Sequence, residues 1–214
     1  MKRPAAPRRL AAFTFVVFAA LLAPTADAER LLFTPMGRKL PFGEVRLQHF
    51  FEGGQPGVNR TTLGVGFSLL FDGAITWENG LLGGEEGLSL DLSYNLIAPF
   101  TDVNPGFSLG VIDALDRTAD GRGIYFAGTW RIGMIGDYNQ ATPLETTIGF
   151  MTNRRHAVFV GARFPFTDQL LYLVEYDTAQ VVHGLEVRPF RHGAVRLIDR
   201  GGTSIWSVGA TYRF

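Results

Sequence analysis

The 214-residue chain balances 20 Lys and Arg against 20 Asp and Glu, carries no cysteine, and is rich in Phe (18) and Gly (26). The charge balance lacks the basic footprint of a nucleic-acid binder. The absence of cysteine excludes disulfides and thiolate metal sites.

The first element is a leader. Lys2, Arg3, Arg8 and Arg9 form a positive region, residues 10–22 an apolar core, and Ala26-Asp27-Ala28 a small-x-small cleavage site. This predicts a secretory signal peptide over residues 1–28 and one mature domain over residues 29–214. The apolar run is shorter than the roughly 20 residues a membrane-spanning helix needs. No cysteine follows the site, so the chain is not read as a lipoprotein.

Beyond the leader, apolar residues recur with a period of two, the mark of strands. Leu63, Val65, Phe67, Leu69 and Phe71 share one face; Thr62, Gly64, Gly66 and Ser68 share the other. Leu88, Leu90, Leu92, Tyr94 and Leu96 repeat the pattern against Ser89, Asp91, Ser93 and Asn95. Twelve strands are predicted, at 43–51, 61–71, 74–78, 87–96, 106–112, 123–132, 144–151, 157–164, 170–177, 183–188, 194–198 and 204–214. Ten result if the short ones at 74 and 194 merge with neighbours. Connections 52–60, 79–86 and 113–122 read as outer loops. Asp72-Gly73 reads as a tight inner turn, and 133–142 as an inner turn of unusual length. An even strand count puts both termini in the periplasm.

A soluble β-sandwich or lipocalin-like barrel would show the same alternation. The leader, the small and polar second face, and aromatics near strand ends (Phe50, Phe51, Phe71, Trp77, Tyr94, Phe100, Trp130, Tyr212, Phe214) favour a membrane. In a bilayer every backbone polar group must pair, so the sheet must close. The fold class is therefore all-β: a transmembrane, antiparallel, up-and-down β-barrel of the bacterial outer membrane. The last strand, ending Trp206-Ser-Val-Gly-Ala-Thr-Tyr212-Arg-Phe214, resembles the closing strand of outer-membrane barrels. That resemblance implies that Tyr212 and Phe214 form the signal read by the barrel-assembly machinery.

Phasing each strand by its apolar face assigns Asp91, Arg131, Glu145, Arg163, Glu175, Asp177, Glu186, Arg188, Arg196 and Arg213 to the lumen. Small barrels are filled by side chains, so these mixed signs favour an interior salt-bridge network over a charge-selective pore. Arg154, Arg155, His156, Arg188, Arg191, His192, Arg196 and Arg200 make the last third basic. They read as loops beside lipid and lipopolysaccharide headgroups, ahead of a site for anionic sugar.

No catalytic residue, cofactor site or metal site is assigned. His49 falls on the lipid face while Ser89 and Ser93 fall on the lumen face, which does not build a nucleophile–base pair. The histidines and acids lack metal spacing, and the acidic stretch 113–121 lacks calcium-loop spacing.

Residues 105–113 (PGFSLGVID), 159–166 (FVGARFPF), 173–177 (LVEYD) and 184–190 (GLEVRPF) resemble strands of the YjbH-like exopolysaccharide-associated outer-membrane proteins, over 106–214. The resemblance implies a non-enzymatic barrel assisting export or surface handling of an anionic polysaccharide. It carries over no catalytic residue. A general small-solute channel, a structural or adhesive barrel, and a lipid hydrolase using His49 are the alternative readings.

Overall fold

A computed structural model describes residues 31–37, 40–55, 57–81, 86–97, 104–118, 121–133, 143–152, 157–176, 179–190 and 192–214. The predicted leader, most of the turn at 133–142, and Phe100, Arg154, Arg155, His156, Asp177 and Arg191 lie outside the described residues.

The strands are β1 (Glu44–Glu52), β2 (Asn59–Gly66), β3 (Phe71–Asn79), β4 (Gly87–Ile97), β5 (Gly106–Ile112), β6 (Gly123–Ile132), β7 (Leu144–Met151), β8 (Ala157–Pro165), β9 (Leu170–Tyr176), β10 (Val181–Phe190), β11 (Gly193–Arg200) and β12 (Thr203–Arg213). Each pairs antiparallel with its chain neighbours, and β1 pairs with β12 from Glu44↔Arg213 to Glu52↔Ile205. The sheet is thus a closed twelve-strand barrel without an edge. The start of β1 and the end of β12 share one end, called here the terminal end. The turns after the odd-numbered strands form the far end.

Alternation sets the two faces. Ile75, Trp77, Leu92, Leu109, Ile124, Phe126, Ile148, Phe150, Val158, Val160, Leu197 and Trp206 are exposed on the exterior. The residues that alternate with such exterior positions, Thr76, Asp91, Ser108, Thr147, Glu145, Arg163 and Ser207, are buried. An apolar belt outside and a polar interior invert the soluble arrangement, and match a sheet whose outer solvent is lipid.

Three sequence expectations change. The strand read as 61–71 stops at Gly66, and Phe71 opens β3, so Asp72 and Gly73 lie within a strand. The turn is instead 67–70, where the Ser68 hydroxyl accepts from Leu70 N (3.0 Å) and Phe71 N (2.8 Å). Phe67 and Leu69 are exposed there. Apolar turn residues at a lipid boundary continue the alternation and hide the break. Secondly, Phe50 is buried inside, packed on Phe33 at 5.9 Å, because Phe50 and Phe51 face opposite ways. Thirdly, β9 is apolar on both faces: Leu171 and Leu173 point inward with Glu175, while Tyr172 and Val174 point outward.

Below the far end, Phe159, Tyr125, Ala127 and Met151 form a small interior cluster. A Cβ added at Gly149 would collide with the Phe159 ring and with the Phe126 carbonyl. Gly149→Ala should therefore lower stability by about 1–3 kcal/mol, since a backbone carbonyl cannot retreat as a side-chain tip can. The check is the temperature at which the refolded protein loses its faster electrophoretic mobility in unboiled detergent.

Candidate functional site: the occupied lumen

The interior carries charge on opposed walls. On β1–β4, Glu44, Asp72, Glu78 and Asp91 are buried, with Arg60 bound to both Glu78 oxygens at 2.8 and 2.9 Å. On β6–β11 a chain of ion pairs runs across the sheet. Arg131 Nε reaches Glu145 Oε1 at 3.1 Å, and Arg163 Nη1 reaches Glu145 Oε2 at 3.2 Å. Arg163 Nη2 lies 3.6 Å from Glu186, which also takes Arg188 Nε and Arg196 Nε at 2.6 Å each. Cross-strand register explains the chain, since Arg131↔Glu145, Glu145↔Arg163 and Glu186↔Arg196 are direct partners.

Of the residues phased to the lumen, Asp91, Glu145, Arg163, Glu175, Glu186 and Arg196 are buried inside, and Arg131 and Arg188 are half-buried in the network. Asp91 Oδ1 accepts from the backbone of Asp113 at 2.8 Å. Arg213 differs: it is exposed at the last position of β12, where the alternation runs past the enclosed part of the barrel.

Glu175 belongs to another structure altogether. Its carboxylate accepts from the backbone N–H groups of Leu32 (3.0 Å), Phe33 (2.9 Å) and Thr34 (3.3 Å), and from the Thr34 hydroxyl (2.9 Å). The residues preceding β1 lie inside the barrel. Leu31, Leu32 and Met36 join Phe50, Leu81, Leu173, Val182, Ile198 and Ile205 in one apolar cluster toward the far end. Arg200 stands over the Phe33 ring at 5.8 Å. Farther along, Gly37 N donates to Thr129 Oγ1 (2.7 Å), Ser108 Oγ donates to the Met36 carbonyl (2.7 Å), and Leu40 N donates to Asp72 Oδ2 (2.7 Å). The chain therefore runs down the lumen from the far end to the terminal end, touching walls on both sides. Beside it lies a pocket of about 20 Å³ bordered by Leu32, Arg46, Gln48 and Arg60, room for about one water.

This segment escaped the sequence reading because it has no period: apolar Leu31-Leu32-Phe33 is followed by Pro35, Gly37 and Pro41. The even strand count does set the start of β1 beside the end of β12, but the residues ahead of β1 do not remain there.

The sites weighed for catalysis are committed elsewhere. His49 Nδ1 bonds Thr61 Oγ1 at 2.8 Å on the outer face. His183 lies near the start of β10, and its Nδ1 is 2.6 Å from the Tyr172 hydroxyl on the exterior. Gly106-Phe-Ser108-Leu-Gly110 spells the nucleophile-elbow pattern, yet it runs along β5. An elbow needs a sharp strand-to-helix turn that exposes the serine, whereas Ser108 is buried and bonded to Met36. Among the described residues no group of three His, Asp or Glu is placed to hold a metal ion.

No protein-family model matches the chain, and no curated protein does. Solved structures similar to it include one described as a KdgM porin and one described as a KdgM porin in complex with disordered oligogalacturonate. Each shares 14% identity and a TM-score of 0.51, covering 80% of this chain and 99% of the other. The likeness is one of fold. The apolar exterior, in turn, is that of a barrel whose outer solvent is lipid.

Proposed function

We propose that this barrel is a non-enzymatic, porin-like channel for small polar solutes. The observation that carries this reading is the enclosed lumen with acidic groups on β1–β4 facing the arginine-rich network of β6–β11. Charges held in a thin, low-dielectric wall act strongly on solutes inside it, and such fields set selectivity in pores. Asp91, Arg131, Glu145, Arg163, Glu186, Arg188 and Arg196 line the path, and Arg213 stands at its terminal mouth. The similar porin seen with oligogalacturonate supports passage of a saccharide-sized solute. Lipid and lipopolysaccharide surround the exterior, and Tyr212 with Phe214 engages the assembly machinery.

The exopolysaccharide-handling reading rests on the sequence resemblance and predicts a different response in one experiment. The refolded mature protein is inserted into a planar bilayer and its current recorded with and without anionic oligosaccharide. Discrete openings indifferent to the sugar are the result expected for a small-solute channel. Openings blocked by it favour a polysaccharide conduit. A folded barrel that stays silent at every applied voltage, also when the segment ahead of β1 has been displaced from the lumen, overturns both, leaving a structural or adhesive role.

A further inference from the structure

We infer that residues 31–37 and 40–41 form a plug latched by Glu175, and that releasing the latch is what admits solute to the lumen. The inference adds a control element to the channel reading and rests on it only for the current measured below.

Three independent features show a wall built around this segment. The first is the latch: one buried carboxylate takes three successive backbone N–H groups and a hydroxyl. Charge-assisted bonds of this kind are stronger than neutral ones. The second is a rail of Thr129, Ser108 and Asp72, which satisfies backbone groups of the segment down the rest of the lumen. The third is steric. A Cβ at Gly161 would meet Leu31, a Cβ at Gly184 would meet Leu32, and one at Gly66 would meet the carbonyls of Leu40 and Pro41. At these three positions the wall lacks a side chain where the segment passes.

The same contacts show how the plug can leave. The rail groups are hydroxyls and a carboxylate, which water can satisfy equally well. Leu31, Leu32, Phe33 and Met36 are held in the apolar cluster, and Leu32 and Phe33 are also residues whose N–H groups bind Glu175. Latch and apolar anchor coincide, so weakening that single place frees the whole segment. What then becomes accessible is the polar wall already described.

Gly184 gives a clean test, because the three atoms nearest to an added Cβ there all belong to Leu32, the first at 2.8 Å. Gly184→Leu puts a side chain where Leu32 lies. Leu32→Ala in the same chain makes room again. The reporter is Ser108→Cys, a position fully buried beneath Met36 in a chain with no other cysteine. Its labelling rate by a small methanethiosulfonate reagent reads plug occupancy without requiring current.

The expected result is slow labelling in the parent, at least about tenfold faster labelling with Gly184→Leu, and return toward the slow rate with Leu32→Ala added. Open time in a planar bilayer should rise and fall in parallel. Glu175→Gln, which leaves a neutral amide at the latch, is the second variant if Gly184→Leu does not refold, and should also accelerate labelling. Labelling that is equally fast in the parent and the variants overturns the plug. Labelling that accelerates while the bilayer stays silent upholds the plug and overturns the channel reading.

Discussion

Glu186→Leu is expected to be the most damaging single replacement in the barrel interior, costing about 3–5 kcal/mol. Glu186 is fully buried and is the shared partner of Arg163, Arg188 and Arg196. Removing it leaves the guanidiniums of β8, β10 and β11 without that carboxylate, with Arg163 still paired to Glu145. A guanidinium cannot shed its proton to escape. The reverse change is milder. Arg196→Met leaves Glu186 with Arg163 and Arg188, so the carboxylate stays compensated. The double variant should recover part of the loss, since one of the stranded cations goes with it. Loss of folded mobility on heating in detergent, compared across the two single variants and the double, measures the coupling directly. Equal damage from Glu186→Leu and Arg196→Met would show that Glu186 is not the hub. If the channel reading holds, surviving Glu186→Leu protein should also favour anions more strongly than the parent.

Charge placed on the exterior should have an effect that depends on height. Val160 and Ile148 are cross-strand partners on β8 and β7, both about half exposed, within the apolar belt. Val160→Arg is expected to cost about 2–4 kcal/mol in a bilayer, the range for a basic residue near the lipid midplane. Phe166, 62% exposed, sits in the turn after β8 at the terminal end. Phe166→Arg should cost only about 0–1 kcal/mol, because a long side chain there reaches water. Refolding into lipid vesicles under a urea series reads both. A barrel whose true outer solvent is water would tolerate the two changes alike, since exposed substitutions in water rarely exceed about 0.5 kcal/mol. The comparison therefore tests the membrane assignment through the barrel's own surface.

Much of this architecture was legible in the residues because it is a local pattern. A strand's side chains alternate whatever surrounds it. Leu88 to Leu96 against Ser89 to Asn95, or Leu144 to Met151, could thus be read one strand at a time. The predicted spans 106–112, 123–132 and 144–151 coincide with β5, β6 and β7. Errors fell where two environments share one chemistry. Phe67 and Leu69 are apolar because a turn meets lipid, and nothing in their side chains distinguishes that from a strand. On β9 the inward Leu173 is apolar because another part of the chain lies against that wall.

What the sequence determined by itself is the alternation, and through it ten to twelve strands, an apolar and a polar face for most of them, and the need to close. Backbone groups in lipid have no other partners, so the consequence follows from chemistry available one strand at a time. Only the tertiary structure decided what fills the barrel. The partnership of Glu175 with Leu32, Phe33 and Thr34 spans more than 140 residues of chain. It depends on a backbone nest that has no side-chain signature, and on the absence of Cβ atoms at Gly161 and Gly184. Glycines in a strand and an aperiodic run before it carry meaning only once closure has brought them together.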